Sequence, residues 1–380
     1  MAWRIPLSDI EFGPEEEQAV LDVVHSRWLT MGAATQEFEK EYSAYLQCKH
    51  ALAVANGTAA LHLACLALGF GPGDEVIVPS LTFVATANAI RYTGATPVFA
   101  DITSQNDLNI SPQSIEERIT DRTRGIIVVH YGGYACDMQR IKSIGDKYQL
   151  PIIEDAAHGI GSEYEGRMLG TWGETGCFSF FSNKNMTTGE GGMLVTNDDD
   201  LAAKLRLLRS HGMTSLTWDR HKGHAWSYDV VALGYNYRLD EIRASLGLVQ
   251  LGKLGVNNEK RRQLTRHYRD LLRESAPEIG IPFDDHPGVS AAHIMPILLP
   301  SRTNRFEFME HMKSQGIQTS IHYPPIHTFT AYKNWNKTDK PSLPVTEEAA
   351  SREVTLPLYP SLAMDDVSYI VDQIQAGLEK

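Results

Sequence analysis

Between about residues 50 and 200 the chain alternates short apolar runs with longer stretches of helical period. The apolar runs are Ala51–Ala55, Glu75–Val78, Pro97–Ala100, Gly125–Val129 and Pro151–Glu154. Their apolar character is near-continuous rather than alternating, the pattern of strands covered on both faces. Between them lie predicted helices at Ala59–Leu68, Val84–Arg91 and Met138–Tyr148. Strands that take turns with helices predict an α/β layered domain, in which ligands bind outside the carboxyl ends of the strands. After Arg238 a helix-compatible stretch runs to about Glu274, as either a bridge between domains or a self-association face. A strand at Ala292–Leu299, a helix at Arg305–Gln315 and a closing helix at Asp365–Gly377 then predict a smaller α+β domain. The division is placed at 1–254 and 255–380.

Composition narrows the classes of function. The 380 residues are 42% hydrophobic and 22% charged, with a net charge of -12 and no polybasic run, which argues against a nucleic-acid partner. The N-terminal stretch lacks the apolar core and cleavage site of a signal peptide, and no run reaches the roughly 18 apolar residues that span a membrane. A cytoplasmic protein without a membrane partner is expected. Cys48, Cys65, Cys136 and Cys177 have no partner at metal-ligand spacing and read as free thiols.

Lys184 stands out chemically. It follows Phe178-Ser179-Phe180-Phe181 and precedes the glycine-rich Gly189-Glu190-Gly191-Gly192, where a second buried strand begins. Burial lowers a lysine pKa and makes the amine nucleophilic; such amines form Schiff bases with aldehydes, foremost pyridoxal 5'-phosphate (PLP). A lysine that snorkels to water is the structural alternative. Asn56-Gly57-Thr58-Ala59 turns from a strand into a helix, and its unpaired amides and the Thr58 hydroxyl suit a phosphate, or merely an N-cap. Asp155, at a strand end in Glu154-Asp155-Ala156-Ala157-His158, could hold a pyridinium nitrogen or cap a helix. The Ser179 hydroxyl suits a phosphate oxygen, and Phe83 is a stacking candidate or a core residue.

The order of these groups, with Gly73-Asp74-Glu75-Val76-Ile77-Val78-Pro79, Gly234-Tyr235-Asn236-Tyr237-Arg238 and Leu356-Pro357-Leu358-Tyr359-Pro360, resembles the nucleotide-sugar aminotransferases of the DegT/StrS family over nearly the whole chain. The resemblance implies the fold-type I architecture of PLP-dependent transferases: a three-layer α/β/α large domain with a mostly parallel mixed sheet, plus a smaller α+β C-terminal domain. It implies Lys184 as the Schiff-base lysine and proton shuttle, and Asp155 as partner of the pyridine nitrogen. Gly57, Thr58, the Ala59 amide and Ser179 would hold the phosphate, Phe83 would flank the ring, and His158 would lie near the 3'-oxygen. Asn236 would reach the phosphate of a neighbouring subunit, which makes a homodimer with shared sites part of the expectation. Thr30, Met31, Asn185, His322, Tyr323 and His327 are expected on the substrate side, and Arg238 either contributes there or pairs with Asp240 or Glu241.

Similar sugar 3-dehydratases carry histidine in place of the lysine; its retention favours amino transfer, with PLP cycling through pyridoxamine phosphate. The implied donor is L-glutamate and the acceptor a keto-deoxy sugar on a nucleoside diphosphate. His158 and the segment 211–221 favour C4 over C3, and loops near 28–32, 183–187, 213–228 and 322–332 would shape the pocket. A keto-inositol or cyclitol acceptor, and a non-catalytic regulatory protein of the same fold, are the alternatives.

Overall fold

The computed structural model describes residues 3–215, 227–333 and 342–378; most of the segment 211–221 and of the loop 213–228 lies outside them. The apolar runs form one seven-stranded sheet of β1 (His50–Val54), β2 (Glu75–Pro79), β3 (Thr96–Ala100), β4 (Thr123–Val129), β5 (Ile152–Asp155), β8 (Thr175–Ser179) and β9 (Gly192–Thr196). A small hairpin, β6 (Glu163–Tyr164) with β7 (Arg167–Met168), interrupts them. The spatial order is β1-β9-β8-β5-β4-β2-β3. Strands β3, β2, β4, β5 and β8 run parallel, and β9 is antiparallel to both β8 and β1. This is the mostly parallel mixed sheet of the fold-type I architecture.

Helices α1 (Pro14–Ser26), α2 (Ala33–Leu46), α3 (Gly57–Ala67), α4 (Ala85–Tyr92), α5 (Pro112–Glu117), α6 (Met138–Tyr148) and α7 (Asp199–Arg209) accompany it. Helix α3 is apolar nearly all round because it is buried. It starts at Gly57 rather than Ala59 because Asn56 caps it, its side chain accepting from the Ala59 amide at 2.8 Å.

The predicted long helix is α8 (Glu241–Ser275), capped by Asp240. Its first half carries Leu254 into a core with Phe38, Tyr42, Phe178 and Phe180. Its second half carries Leu264, Tyr268 and Leu272 into a second core, with strands β10 (Met295–Leu298) and β11 (Glu353–Leu356) and helices α9 (Arg305–Ser314) and α10 (Met364–Leu378). The division expected at 254 thus falls inside one continuous helix. Ile5 departs from that division: it is 1% exposed in the second core and paired with Ile317, so the N-terminal segment packs with the C-terminal half. The strand expected from Ala292 starts at Met295; Ala292 sits at φ 48°, which a strand cannot continue. No helix among the described residues is long and apolar enough to cross a membrane.

Candidate active site

Asp155 ends β5 and Ser179 ends β8, its parallel neighbour, at the carboxyl edge of the sheet. Side chains alternate along a strand, so Glu154 and Asp155 face opposite ways and meet different fates. Glu154 is fully buried and accepts from the Gly170, Trp172 and Gly173 amides and from His130. It is a structural anchor. Asp155 is 6% exposed and, among the described residues, its carboxylate accepts only the Thr86 hydroxyl at 2.8 Å and the Ala157 amide at 3.2 Å. A turn follows it rather than a helix, so it is not a cap. Burial holds its pKa above the ordinary carboxylate value, the unfavourable state that a cationic N–H partner would relieve.

Lys184 lies in the loop from β8 to β9, which Met186, wholly buried, and the Thr187 hydroxyl, bonded to the Phe180 carbonyl, pin to the core. It is partly buried, and desolvation lowers its pKa to about 8 although nearby Asp155 pulls the other way. Among the described residues neither group forms an ion pair, and the nearest partner of Lys184 Nζ is His293 Nε2 at 3.4 Å.

The tautomer of His293 follows from its other contacts. Asn185 Nδ2 donates to the Ala291 carbonyl at 2.8 Å and to Asn258 Oδ1 at 2.7 Å, which turns Asn185 Oδ1 toward His293 Nδ1 at 2.8 Å. His293 Nδ1 therefore carries the hydrogen, and Nε2 offers a lone pair to Lys184. Burial keeps the ring neutral, its pKa well below the usual value. His158 is set the other way: the Gly132 amide donates to its Nδ1 at 3.2 Å, so Nε2–H donates to Tyr323 Oη at 3.1 Å. That leaves the Tyr323 hydroxyl hydrogen for an acceptor in the pocket.

The start of α3 supplies the third wall. With Ala59 N committed to Asn56, the amides of Gly57 and Thr58 remain, since the first turn of a helix has no internal acceptor for them. The end of β8 lies so close that a Cβ on Gly57 would stand 2.9 Å from Ser179 Cβ, and one on Gly192 would stand 2.6 Å from the Asn56 carbonyl carbon. Phe83 is 57% exposed and tilts against the Tyr323 ring at 6.0 Å, so it is not core.

Several expected residues stand elsewhere. Asn185 does not face a substrate, because it is 7% exposed and its side chain is committed to Asn258, Ala291 and His293. His327 is likewise occupied, by Ser80 Oγ at 2.7 Å and Glu347 at 3.1 Å. Met31 is buried and Thr30 exposed in the turn ahead of α2, and no hydrogen bond joins either to the Lys184 group among the described residues. Arg238 pairs with neither Asp240, which holds Arg243 at 2.7 Å, nor Glu241, which accepts from Gly32, Ala34 and Thr35. Asn236 is exposed beside Val230, Val231 and Leu233, itself 87% exposed. His293, against Lys184, and Thr86, against Asp155, belong to this group of side chains and were missed by sequence reasoning. Thr86 sits in the first turn of α4, the helix that follows β2; His293 is marked only as a lone polar residue at the mouth of an apolar run.

A nucleophilic amine, a buried carboxylate with unfilled bonding capacity and a set of helix-start amides beside two hydroxyls fit the aldehyde, pyridine nitrogen and phosphate of PLP in turn. Such a donor set on this sheet fits a PLP-dependent enzyme of fold-type I. The profile of the DegT/DnrJ/EryC1/StrS aminotransferase family matches residues 11–375, and the chain belongs to that family. The spore coat polysaccharide biosynthesis protein SpsC of Bacillus subtilis (strain 168) is 39% identical over 376 residues, 98% of this chain and 96% of that protein. Among solved structures, Helicobacter pylori PseC, an aminotransferase involved in the biosynthesis of pseudoaminic acid, superposes with a TM-score of 0.90 at 31% identity, covering 99% of both chains. DesI, solved in the presence of its TDP-sugar product, superposes with a TM-score of 0.88 at 29% identity, covering 99% of this chain and 93% of its own. The cofactor of the chain is PLP.

Proposed function

We propose that this enzyme moves an amino group from L-glutamate to the C4 keto carbon of a deoxy sugar carried on a nucleoside diphosphate, in cytoplasmic amino-sugar biosynthesis. Lys184 carries the reading: a partly desolvated amine, beside Asp155 but unpaired with it, is built for reversible condensation rather than for a salt bridge. PLP, when bound, supplies the aldehyde that takes up amino groups and a ring that withdraws electrons. Asp155 would hold the pyridine N–H, with Thr86 and Ala157 keeping the carboxylate aimed. Gly57, Thr58 and Ser179 would hold the phosphate, and Phe83 would cover the ring.

Lys184 would take and return a proton at Nζ, and its depressed pKa leaves a usable fraction of free amine near neutrality. The His293 lone pair accepts one Nζ hydrogen, which fixes where the others point. The sugar-nucleotide acceptor is supported by the product bound to DesI and by the polysaccharide role of SpsC. The choice of C4 is supported by the histidine at 158. A homodimer with shared sites is supported by the exposed Val230, Val231 and Leu233 flanking Asn236.

The test is a single-turnover assay. The pyridoxamine form is mixed with 4-keto and 3-keto sugar nucleotides and with a keto-inositol, and the return of the lysine-bound cofactor absorbance is followed. Rapid return with the 4-keto sugar alone is expected; return only with the cyclitol would overturn the assignment. For the dimer, mixing Lys184→Ala and Asn236→Ala chains should restore part of the activity.

A further inference from the structure

His322 is held at three points. Its N–H donates to Glu353 Oε2 at 2.8 Å, its carbonyl accepts the Tyr131 hydroxyl, and its Nδ1 lies 2.8 Å from Thr355 Oγ1. Thr355 Oγ1 is in turn 2.5 Å from Glu353 Oε1. Glu353 and Thr355 are two apart on β11 and share a face, with exposures of 0% and 1%. The remaining ring nitrogen, Nε2, has no protein partner among the described residues, yet it is not one of the sealed, unsatisfied atoms. With Nδ1 committed to Thr355, Nε2 is the open end of the chain Glu353–Thr355–His322, and the ring is close enough to Lys184 to feel its charge.

A hydroxyl has a single hydrogen to donate, and this makes the chain directional. With Glu353 protonated on Oε1, that hydrogen goes to Thr355 Oγ1, Thr355 donates to His322 Nδ1, and the imidazole hydrogen sits on Nε2. With Glu353 ionised, Thr355 donates back to Oε1 and accepts from Nδ1–H, leaving Nε2 bare. Passing between the two states moves each hydrogen one bond along: Oε1 loses its proton to Oγ1, Oγ1 gives its own to Nδ1, and Nε2 releases one to the pocket. Charge and atoms balance, with the carboxylate left at the buried end.

We propose that Glu353 and Thr355 are positioning residues of a proton relay that sets the tautomer of His322, so that the nitrogen turned to the pocket can switch between donor and acceptor. The surrounding charges agree. Burial pushes the Glu353 carboxyl up to about 8 against the opposing pull of Arg305 on α9, while Tyr131 and Tyr323 also face it. Burial and the Lys184 charge hold His322 down to about 4, with His158 and His293 on its pocket side, so the ring stays neutral and only its tautomer changes. The identity of the group that meets Nε2, an oxygen of the sugar substrate, rests on the aminotransferase reading above; the tautomer does not.

The experiment is nitrogen-15 NMR of histidine-labelled, PLP-loaded protein from pH 6.5 to 9.5, with the His322 signals assigned by their loss in His322→Asn. The hydrogen should sit on Nε2 at low pH and move to Nδ1 as pH passes about 8. Glu353→Gln, whose amide donates to Thr355 at every pH, should pin it on Nε2. Thr355→Ser should keep the switch and Thr355→Val should lose it, a pair that stands in for Glu353→Gln should that chain fail to fold. A wild-type His322 that does not change tautomer, or a Glu353→Gln chain that still does, overturns the relay. In turnover, the basic limb near pH 8 in kcat/KM should vanish in Glu353→Gln and persist in Thr355→Ser. A switching tautomer in an enzyme that aminates no sugar nucleotide would leave the relay standing and sink the substrate assignment instead.

Discussion

The carboxyl edge of the large sheet and the loops of the C-terminal half meet at Lys184–His293 and His158–Tyr323, but their polar groups are in opposite conditions. At the sheet edge, Asp155 accepts two hydrogen bonds and Lys184 has one neutral contact, so both have capacity left for a ligand. In the C-terminal half, His293 is held by Asn185, and His322 by Glu353, Thr355 and Tyr131, each presenting one ring nitrogen. The difference fits the proposed division of work, in which the sheet edge would supply groups that react or bear charge and the C-terminal loops groups whose orientation is fixed in advance. Preorganised contacts of the second kind matter because a small misplacement at a reacting atom is costly.

Substitutions at the sheet edge should therefore cost most. Lys184→Ala should lower transamination by ~10^4-fold, removing nucleophile and proton carrier together; single-turnover kinetics with glutamate measure it, and a normal rate would end the comparison. Asp155→Asn, which keeps shape and loses charge, should cost roughly 10^2- to 10^3-fold in kcat. His293→Phe should cost about 10- to 100-fold in kcat with the cofactor retained; a loss as deep as that of Lys184→Ala would place His293 among the reacting groups.

Titration gives a gentler test. In cofactor-free protein, labelling of Lys184 by an amine-reactive probe should rise with pH around a midpoint near 8, since only the neutral amine reacts. Asp155 raises that pKa, so Asp155→Asn should move the midpoint lower; an unchanged midpoint would mean the two groups are not electrostatically coupled. Phe83→Ala should have the smallest effect, weakening cofactor retention by about 1 kcal/mol, or roughly fivefold, as read by dialysis.

The same contrast explains what the sequence could reveal. Strands β2 to β5 announce themselves because burial on both faces demands unbroken apolar runs, and the groups at their carboxyl ends are then found by position. Lys184 and Asp155 were legible as charges in apolar company. His293 was not: it meets Lys184 only through the packing of a segment more than a hundred residues away, and its usable nitrogen is set by Asn185, which from the sequence resembled a substrate contact. The opposite fates of Glu154 and Asp155 are legible only once the sheet's two sides are known. His327 misled in a similar way, since the run from His322 to His327 does not disclose that a Ser80–Glu347 pair occupies the second imidazole.

The segment around Ile5 carries a consequence for how the protein is made. Arg4 and Ile5 donate to the Gly316 carbonyl, Leu7 receives the Leu358 amide, and Ile5 fills a core built otherwise from residues 264 to 374. On the ribosome these residues emerge long before their partners and meet them only when the C-terminal strands and helices exist, so closure of that core waits for residues up to about 374. Shortening the N-terminus past Ile5 should thus be felt as slow maturation and aggregation of the nascent protein, while the sheet that bears Lys184 and Asp155 can already have assembled.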